Sequence, residues 1–353
     1  YTWEDTKINI LKLSKTIKEN ITEGDRCLLV SENRPEWFIS DLAIMLAGGI
    51  TVPAYTTYVT RDYEYIINDC EPSIIIVSND EQFSKISKIN NNNSKIKKIF
   101  SFEKLNTIDA KSYFNIEYLI NSKPKSDLII PKVTLKRLDP ACIIYTSGTQ
   151  GNPKGVVLSH GGILSNCEGG YKLLEPILEK ETRFLTWLPL SHSYEHAVQF
   201  IQIAVAAKVF YAESIDKLIK NMSECSPHIM TAVPRFYQNL YQKINSSFNK
   251  TKGLKKTLIN VTIKLGTKKL KKQIMSPLEK LTNFVVEKLV RVKIKKQFGG
   301  SLKTFVSGGG ALDAEIGCFL NSIGLPTLQG YGLTETSPVV SCNPIDDIRI
   351  ETV

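Results

Sequence analysis

Residues 145–156 read Tyr-Thr-Ser-Gly-Thr-Gln-Gly-Asn-Pro-Lys-Gly-Val. The apolar run Ala141–Tyr145 leads directly into small hydroxyl residues, glycines and a lysine. Glycines let backbone N–H groups close around phosphate oxygens, hydroxyls add donors, and a lysine adds charge. The chemistry indicated is phosphate binding. The spacing is not that of a Walker A loop, which runs Gly, four residues, then Gly-Lys-Ser/Thr. Here Gly148, Gly151 and Lys154 are three apart, and Pro153 precedes the lysine. A Gly/Pro turn between two strands is the plainer use of the same residues.

Two later segments offer complementary groups. In Gln329-Gly-Tyr-Gly-Leu-Thr-Glu-Thr336, Gly330 and Gly332 flank Tyr331 and leave its ring free to face a planar base. Thr334 supplies a hydroxyl, and Glu335 a carboxylate suited to a hard cation such as Mg2+. Taken alone, a tight turn with a surface glutamate is the favoured reading of these residues; beside the 145–156 segment, the functional reading prevails. Ser307-Gly-Gly-Gly310 follows a strand and precedes Asp313, which has the character of a helix N-cap. Three glycines permit close approach of a flat ligand. Of the four histidines, His192 lies in Ser-His-Ser-Tyr-Glu-His, where a structural role is the default. His196 is left open, His160 reads as the start of a helix, and His228 as a strand residue. No Gly-x-Ser-x-Gly elbow suggests a serine hydrolase, and no Cys/His spacing suggests zinc.

With these segments in this order, the chain resembles the adenylate-forming superfamily, specifically the AMP-binding acyl-CoA synthetases. Three other stretches join the resemblance, Tyr1-Thr-Trp-Glu-Asp5, Leu46–Pro53 and Leu188-Pro-Leu-Ser-His192, and the glycine segment extends to Val306–Leu312. The resemblance implies nucleotide contacts from Thr146, Ser147, Gly148, Thr149, Gln150, Gly151 and Lys154. It implies others from Gly308, Gly309, Gly310, Ala311, Gln329, Gly330, Tyr331, Gly332 and Thr334. In such enzymes the tyrosine packs on adenine, the threonine meets the α-phosphate and the glutamate holds Mg2+. That makes Glu335 and Thr146 the implied metal ligands, and Lys154, His192, Thr334 and Glu335 the implied catalytic set. Ala232-Val-Pro-Arg-Phe236, and a Lys-rich helical stretch ahead of Phe298-Gly-Gly-Ser-Leu302, resemble the long-chain fatty acid ligases. The implied reaction joins a long-chain fatty acid to CoA with ATP, through acyl-AMP, releasing AMP and pyrophosphate. Ligation to a carrier protein shares every motif, and a non-catalytic nucleotide- or fatty-acid-binding module remains the alternative. The family's C-terminal lid motifs are not found. The chain is therefore expected to be the N-terminal domain, 1–353, incomplete at both ends and weakly active or inactive alone.

The elements that must position these groups alternate. Arg26–Ser31, Ile50–Ala54, Ser73–Val77, Lys95–Phe100, Ala141–Tyr145, Phe184–Trp187, Lys208–Tyr211, His228–Ala232 and Lys303–Val306 read as strands, mostly spaced by helices such as Pro35–Ala47 and Arg61–Asp69. Such alternation predicts parallel sheets flanked by helices, and about ten strands predict two sheets rather than one. The expected fold is α/β, two stacked, mostly parallel sheets with helices on both faces and interleaved lobes.

Composition narrows the class further. With 353 residues, 42% hydrophobic and 23% charged, the chain is ordinary globular material. Seven scattered cysteines without a CxxC argue for free thiols and a cytoplasmic location. The net charge of +10 is local: residues 250–297 hold 15 Lys+Arg against 2 acids, leaving 30 against 33 elsewhere. This stretch, 251–297, reads as two or three Lys-rich helices inserted before the strand at 303. It lacks the interleaved aromatics of a nucleic-acid surface. Leu278, Leu281, Phe284, Val285, Leu289 and Val292 recur at helical spacing, which predicts an inward-facing stripe with solvated lysines. Peripheral contact with an anionic membrane is the alternative.

Overall fold

Ile74-Ile-Ile-Val77 is buried at all four positions, as a strand covered on both faces must be. In the computed structural model of the chain, which describes residues 1–89, 95–106, 113–122, 132–146 and 153–353, it sits inside a seven-stranded sheet. The chain divides into two units, Tyr1–Ser165 with Pro189–Gln199, and Asn166–Leu188 with Phe200–Val353.

The elements run, in order, α1 (Trp3–Lys18), β1 (Arg26–Val30), α2 (Pro35–Leu46), β2 (Ile50–Ala54), α3 (Thr60–Cys70), β3 (Ile74–Val77) and α4 (Asp80–Ser87). Next come β4 (Lys98–Ser101), β5 (Tyr113–Asn115), α5 (Ile116–Asn121), β6 (Pro140–Thr146), β7 (Lys154–Ser159), α6 (His160–Leu174) and β8 (Arg183–Thr186). Then follow α7 (Ser193–Ala204), β9 (Lys208–Tyr211), α8 (Leu218–Cys225), β10 (Ile229–Ala232), α9 (Pro234–Asn249), α10 (Gly253–Leu270) and α11 (Pro277–Val286). The last are α12 (Val292–Lys296), β11 (Thr304–Ser307), α13 (Ala314–Ser322), β12 (Thr327–Gly332) and β13 (Val339–Cys342).

In the first unit the sheet order is β5-β4-β3-β1-β2-β6-β7, parallel except for β6 with β7. Alternate residues of β1 serve opposite faces. Leu28 and Val30 join Tyr63, Ile66 and Ile67 of α3 and Phe83 and Ile86 of α4 in one core. Cys27 points the other way, toward Ile21 and Ile44, close enough that a Cβ on Gly49 would meet all three. Helix starts are set locally: Thr2 and Asp5 form a capping box on α1, and Pro35 opens α2.

In the second unit the order is β13-β12-β11-β10-β8-β9, parallel except for β12 with β13. Its core joins Leu185, Met230 and Phe305 from the strands to Met222, Tyr237, Leu240, Ile294 and Leu320 from α8, α9, α12 and α13. Asp313 caps α13, accepting from Ile316 N at 3.1 Å, as its position predicts. The expected pair of mostly parallel sheets in an α/β fold is present. His160 does open a helix, whereas His228 stands just before β10 rather than in it.

The expectation for the α11 stripe is overturned. In α10, Ile259 and Leu265 are buried. In the next segment Leu278, Leu281 and Phe284 are 72%, 63% and 58% exposed, and Val285, Leu289 and Val292 are exposed too. The inward face is made instead by Val286, Arg291 and Ile294. The reason is a π turn over Glu287–Arg291 and the hold on Arg291, which donates from Nε to Ser322 O at 2.8 Å and from Nη2 to Thr262 O at 3.0 Å. A buried guanidinium with those bonds fixes the rotation of the helix.

Candidate functional site

In the first unit the antiparallel pair β6–β7 flanks residues 147–152 in sequence. Ser147, Gly148, Thr149, Gln150 and Gly151 lie outside the described residues, but both stems are described. Thr146 pairs in register with Lys154, and Tyr145 with Gly155. The neck is tight: a Cβ on Gly155 would come within 2.9 Å of Ile143 Cγ2. Tyr65 donates its hydroxyl to Pro153 O at 2.9 Å, and Tyr145 donates to Asp69 Oδ2 at 2.5 Å. Burial and that hydrogen bond hold the Tyr145 phenol well above its ordinary pKa. The stems are thus clamped from α3, by residues with no place among the predicted site. Thr146 is half-buried, and Lys154 is exposed with no ion-pair partner among the described residues. A clamped hairpin presenting an unneutralised ammonium can hold an anion.

His192 belongs to the same unit. Its backbone N donates to Pro189 O at 2.9 Å, and its Nδ1 accepts from Tyr194 N at 3.1 Å. The ring reaches solvent, yet the protein around it lowers its pKa. Acceptance at Nδ1 also requires that nitrogen to be unprotonated. His192 is thus set up as a neutral imidazole that carries its proton on Nε2.

His196, one helical turn on, is different. It is buried with Nε2 2.8 Å from Asp41 Oδ2, which also accepts from Gln199 Nε2 at 3.1 Å. Cys142 Sγ lies 3.9 Å from Nδ1, and the Trp37 ring meets the imidazole edge-on at 5.6 Å. Burial pulls its pKa down, but the Asp41 charge and the contacts with Asp41 and Cys142 outweigh that and raise it to about 10. A buried imidazolium–carboxylate pair ties the start of α7 to α2. An isolated Asp in the apolar stretch Phe38–Leu46 was its sequence signal.

In the second unit the turn between β12 and β13 carries Leu333, Thr334, Glu335 and Thr336. Gly332 is required: a Cβ there would lie 2.0 Å from Pro338 O. Thr336 Oγ1 accepts from Leu333 N at 3.1 Å. Asn166 fastens the turn from outside, donating from Nδ2 to Thr336 O at 3.3 Å and accepting Val339 N at 2.7 Å. It lies 163 positions before the start of the Gln329–Thr336 motif, and no local pattern pointed to it. Tyr331 is half exposed and Thr334 half-buried. Glu335 is exposed, without an ion-pair partner among the described residues.

The Gly308–Gly310 turn lies alongside. Gly308 N donates to Ala232 O at 3.1 Å, and Gly309 adopts a positive φ of 75° that favours glycine. Gly310 and Ala311 follow with exposed backbone. The Gln329 side chain, implied as a nucleotide contact, is buried, and its Oε1 accepts Leu312 N at 2.8 Å. Its amide shapes the glycine turn. Of the predicted residues, then, the second unit gathers Gly308–Ala311 and Gln329–Thr334 around adjacent strand ends, with Glu335 on the same turn.

No group of three or more His, Cys, Asp or Glu lies together among the described residues. A cation at Glu335 would complete its shell with phosphate and water oxygens, as Mg2+ commonly does. Exposed oxygen donors and a lone carboxylate fit that ion.

A family model described as AMP-binding enzyme matches residues 1–353. The long-chain-fatty-acid–CoA ligase FadD15 of Mycobacterium bovis is 27% identical over 340 residues, 96% of this chain and 56% of that protein. Long chain acyl-CoA synthetase 3 of Arabidopsis thaliana is 30% identical over 349 residues, 95% of this chain and 52% of that one. The chain spans about half the length of the curated relatives it matches. Among solved structures, the inhibitor-bound N-terminal domain of FACL13 from Mycobacterium tuberculosis superposes with a TM-score of 0.70 at 17% identity, covering 96% of this chain and 70% of that one, which supports the fold. Motif order, the two sheets and the match along the whole sequence agree: the chain belongs to the AMP-binding enzyme family.

Proposed function

We propose that the chain is the nucleotide- and acyl-binding part of a long-chain fatty acid–CoA ligase, with residues 251–297 as a helical insertion. The observation that carries the reading is the placement of the two motif loops. Each motif adjoins the antiparallel strand pair at the edge of a sheet, one stem bearing the Lys154 ammonium and the other turn the Glu335 carboxylate, neither with an ion-pair partner among the described residues. An ammonium and a cation-binding carboxylate are what a polyphosphate with Mg2+ requires. The names of the relatives supply the acid and the thiol.

In the proposed reaction a carboxylate oxygen of the fatty acid bonds to the α-phosphorus of ATP, and the bond to pyrophosphate breaks. The sulfur of CoA then bonds to the acyl carbon, AMP leaves, and the thiol proton passes to solvent. The first step brings anions together, so alignment and charge neutralisation are the principal tasks. Lys154 and the N–H groups of 147–152 neutralise phosphate. Glu335 would hold Mg2+, which supplies charge neutralisation when bound; the family resemblance adds Thr146 as a second ligand. Tyr331 offers its ring to adenine, Thr334 its hydroxyl to the α-phosphate, and the Gly308–Ala311 backbone lies against nucleotide and carboxylate. His192, neutral with its proton on Nε2, donates to a substrate oxygen. Seven free thiols favour a reducing, cytoplasmic setting. Peripheral membrane contact through 251–297 belongs to the same reading, because long-chain fatty acids partition into lipid.

The test is binding of non-reactive acyl-sulfamoyl adenosines by calorimetry. A sixteen-carbon mimic should bind about tenfold or more tighter than the acetyl mimic, since each buried methylene contributes about 0.8 kcal/mol. Equal affinities would contradict the long-chain assignment, and failure of both to bind would contradict the nucleotide site.

A further inference from the structure

The apolar residues that α11 and the following turn leave uncovered form one face. Leu278, Leu281, Phe284 or Val285, Leu289 and Val292 succeed one another at intervals of three and four, and all are exposed, as is Ile274 just before the helix. At ~1.5 Å per residue the stretch from 278 to 292 is about 20 Å long. Its orientation is imposed, not incidental: buried Arg291 bonds to α10 and to the end of α13, and Val286 and Ile294 fill the inward side. The helix cannot roll to hide the stripe without breaking those bonds.

The charge around the stripe is of one sign. Both acids of the segment are engaged, Glu279 with Lys268 at 2.8 Å and Glu287 with Arg291 at 3.1 Å. Lys280, Lys288, Lys293 and Lys296 are exposed and have no carboxylate partner among the described residues. Lys288 Nζ lies 4.6 Å from the centre of the Phe284 ring, on the apolar face itself. Lys272, by contrast, is held by Asp347 at 2.7 Å.

We propose that this face is a docking surface for an anionic lipid membrane. Leu278, Leu281, Phe284, Val285 and Leu289 enter the head-group boundary, and Lys280, Lys288, Lys293 and Lys296 meet lipid phosphates. A protein partner fits less well, because lysine is depleted from protein–protein contacts whereas an apolar stripe edged by lysine is the pattern of interfacial helices. The inference rests on the membrane contact of the proposed function and gives it a face and a lipid class; it does not depend on turnover.

The test is co-sedimentation of the chain with vesicles of phosphatidylcholine alone, or with about one-third phosphatidylserine, at low and high salt. Binding is expected on the anionic vesicles and should fall at least about tenfold at high salt. The quadruple variant K280Q/K288Q/K293Q/K296Q should lose the anionic preference. Leu281→Glu with Phe284→Glu should lose binding altogether. Circular dichroism and ATP affinity, measured in parallel, should stay as in the parent, because every altered side chain is exposed. ATP binding without vesicle binding would overturn the membrane surface and leave the nucleotide site standing; the reverse would do the opposite. Vesicle binding unchanged in both variants would also overturn it. So would a dimer in sedimentation velocity that disappears in the Leu281/Phe284 variant while vesicles are ignored, since the occupant would then be a second copy.

Discussion

Replacing Asp41 by Asn removes the charge facing His196 while keeping the side-chain shape. Both partners are buried and 2.8 Å apart, so solvent does little to screen the pair. The folded-state pKa of about 10 for His196, against roughly 6.5 when unfolded, corresponds to about 5 kcal/mol of pH-dependent stabilisation. Breaking a buried pair by removing one charge typically costs about 3–5 kcal/mol, so that is the predicted loss below neutral pH. The sign follows from the raised pKa. The contribution is fully present below about pH 6.5 and is lost as pH rises through about 10. Between pH 7 and 9 the parent should lose about 2–3 kcal/mol that the variant does not. Urea unfolding at pH 6, 7, 8 and 9, followed by tryptophan fluorescence, reads this, because Trp37 packs against the His196 ring. A stability gap between parent and variant that stays constant from pH 6 to 9 would refute a charged His196.

Other consequences are sharper for the site. Gly332→Ala should distort the β12–β13 turn, because its Cβ would lie 2.0 Å from Pro338 O; ATP affinity should fall about tenfold or more in calorimetry, in line with backbone strain of about 1–3 kcal/mol. Asn166→Ala removes two hydrogen bonds from the same turn, and at about 1 kcal/mol each should raise hydrogen exchange at Val339 without unfolding the chain. Arg291→Met removes the guanidinium's bonds to Ser322 O and Thr262 O and should lower the thermal midpoint by several degrees, consistent with about 2–4 kcal/mol.

The sheets were legible because Ile74–Val77, Ala141–Tyr145 and similar runs are buried on both faces and so carry uninterrupted apolar sequence. The return strands β7 and β13 were not. Lys154–Ser159 and Val339–Cys342 are edge strands, largely exposed, and edge exposure removes the apolar signal on which strand reading depends. The motif residues were legible as types, but their supports were not: Tyr65, Asp69 and Asn166 act across 76 to 173 positions. The stripe at 278–292 shows the limit of periodicity. It established that the apolar residues share a face, and could not say which face is turned inward. That depended on the π turn and on Arg291, whose partners lie in α10 and α13.

The most direct test of the nucleotide assignment is calorimetric titration of the chain with ATP, with and without Mg2+, in the parent, Lys154→Ala and Glu335→Gln. The account predicts Mg2+-dependent binding in the parent, affinity reduced at least about tenfold in Lys154→Ala for loss of a charge-assisted phosphate contact, and no Mg2+ dependence in Glu335→Gln. Binding of ATP with unchanged affinity and unchanged Mg2+ dependence in both variants would contradict it.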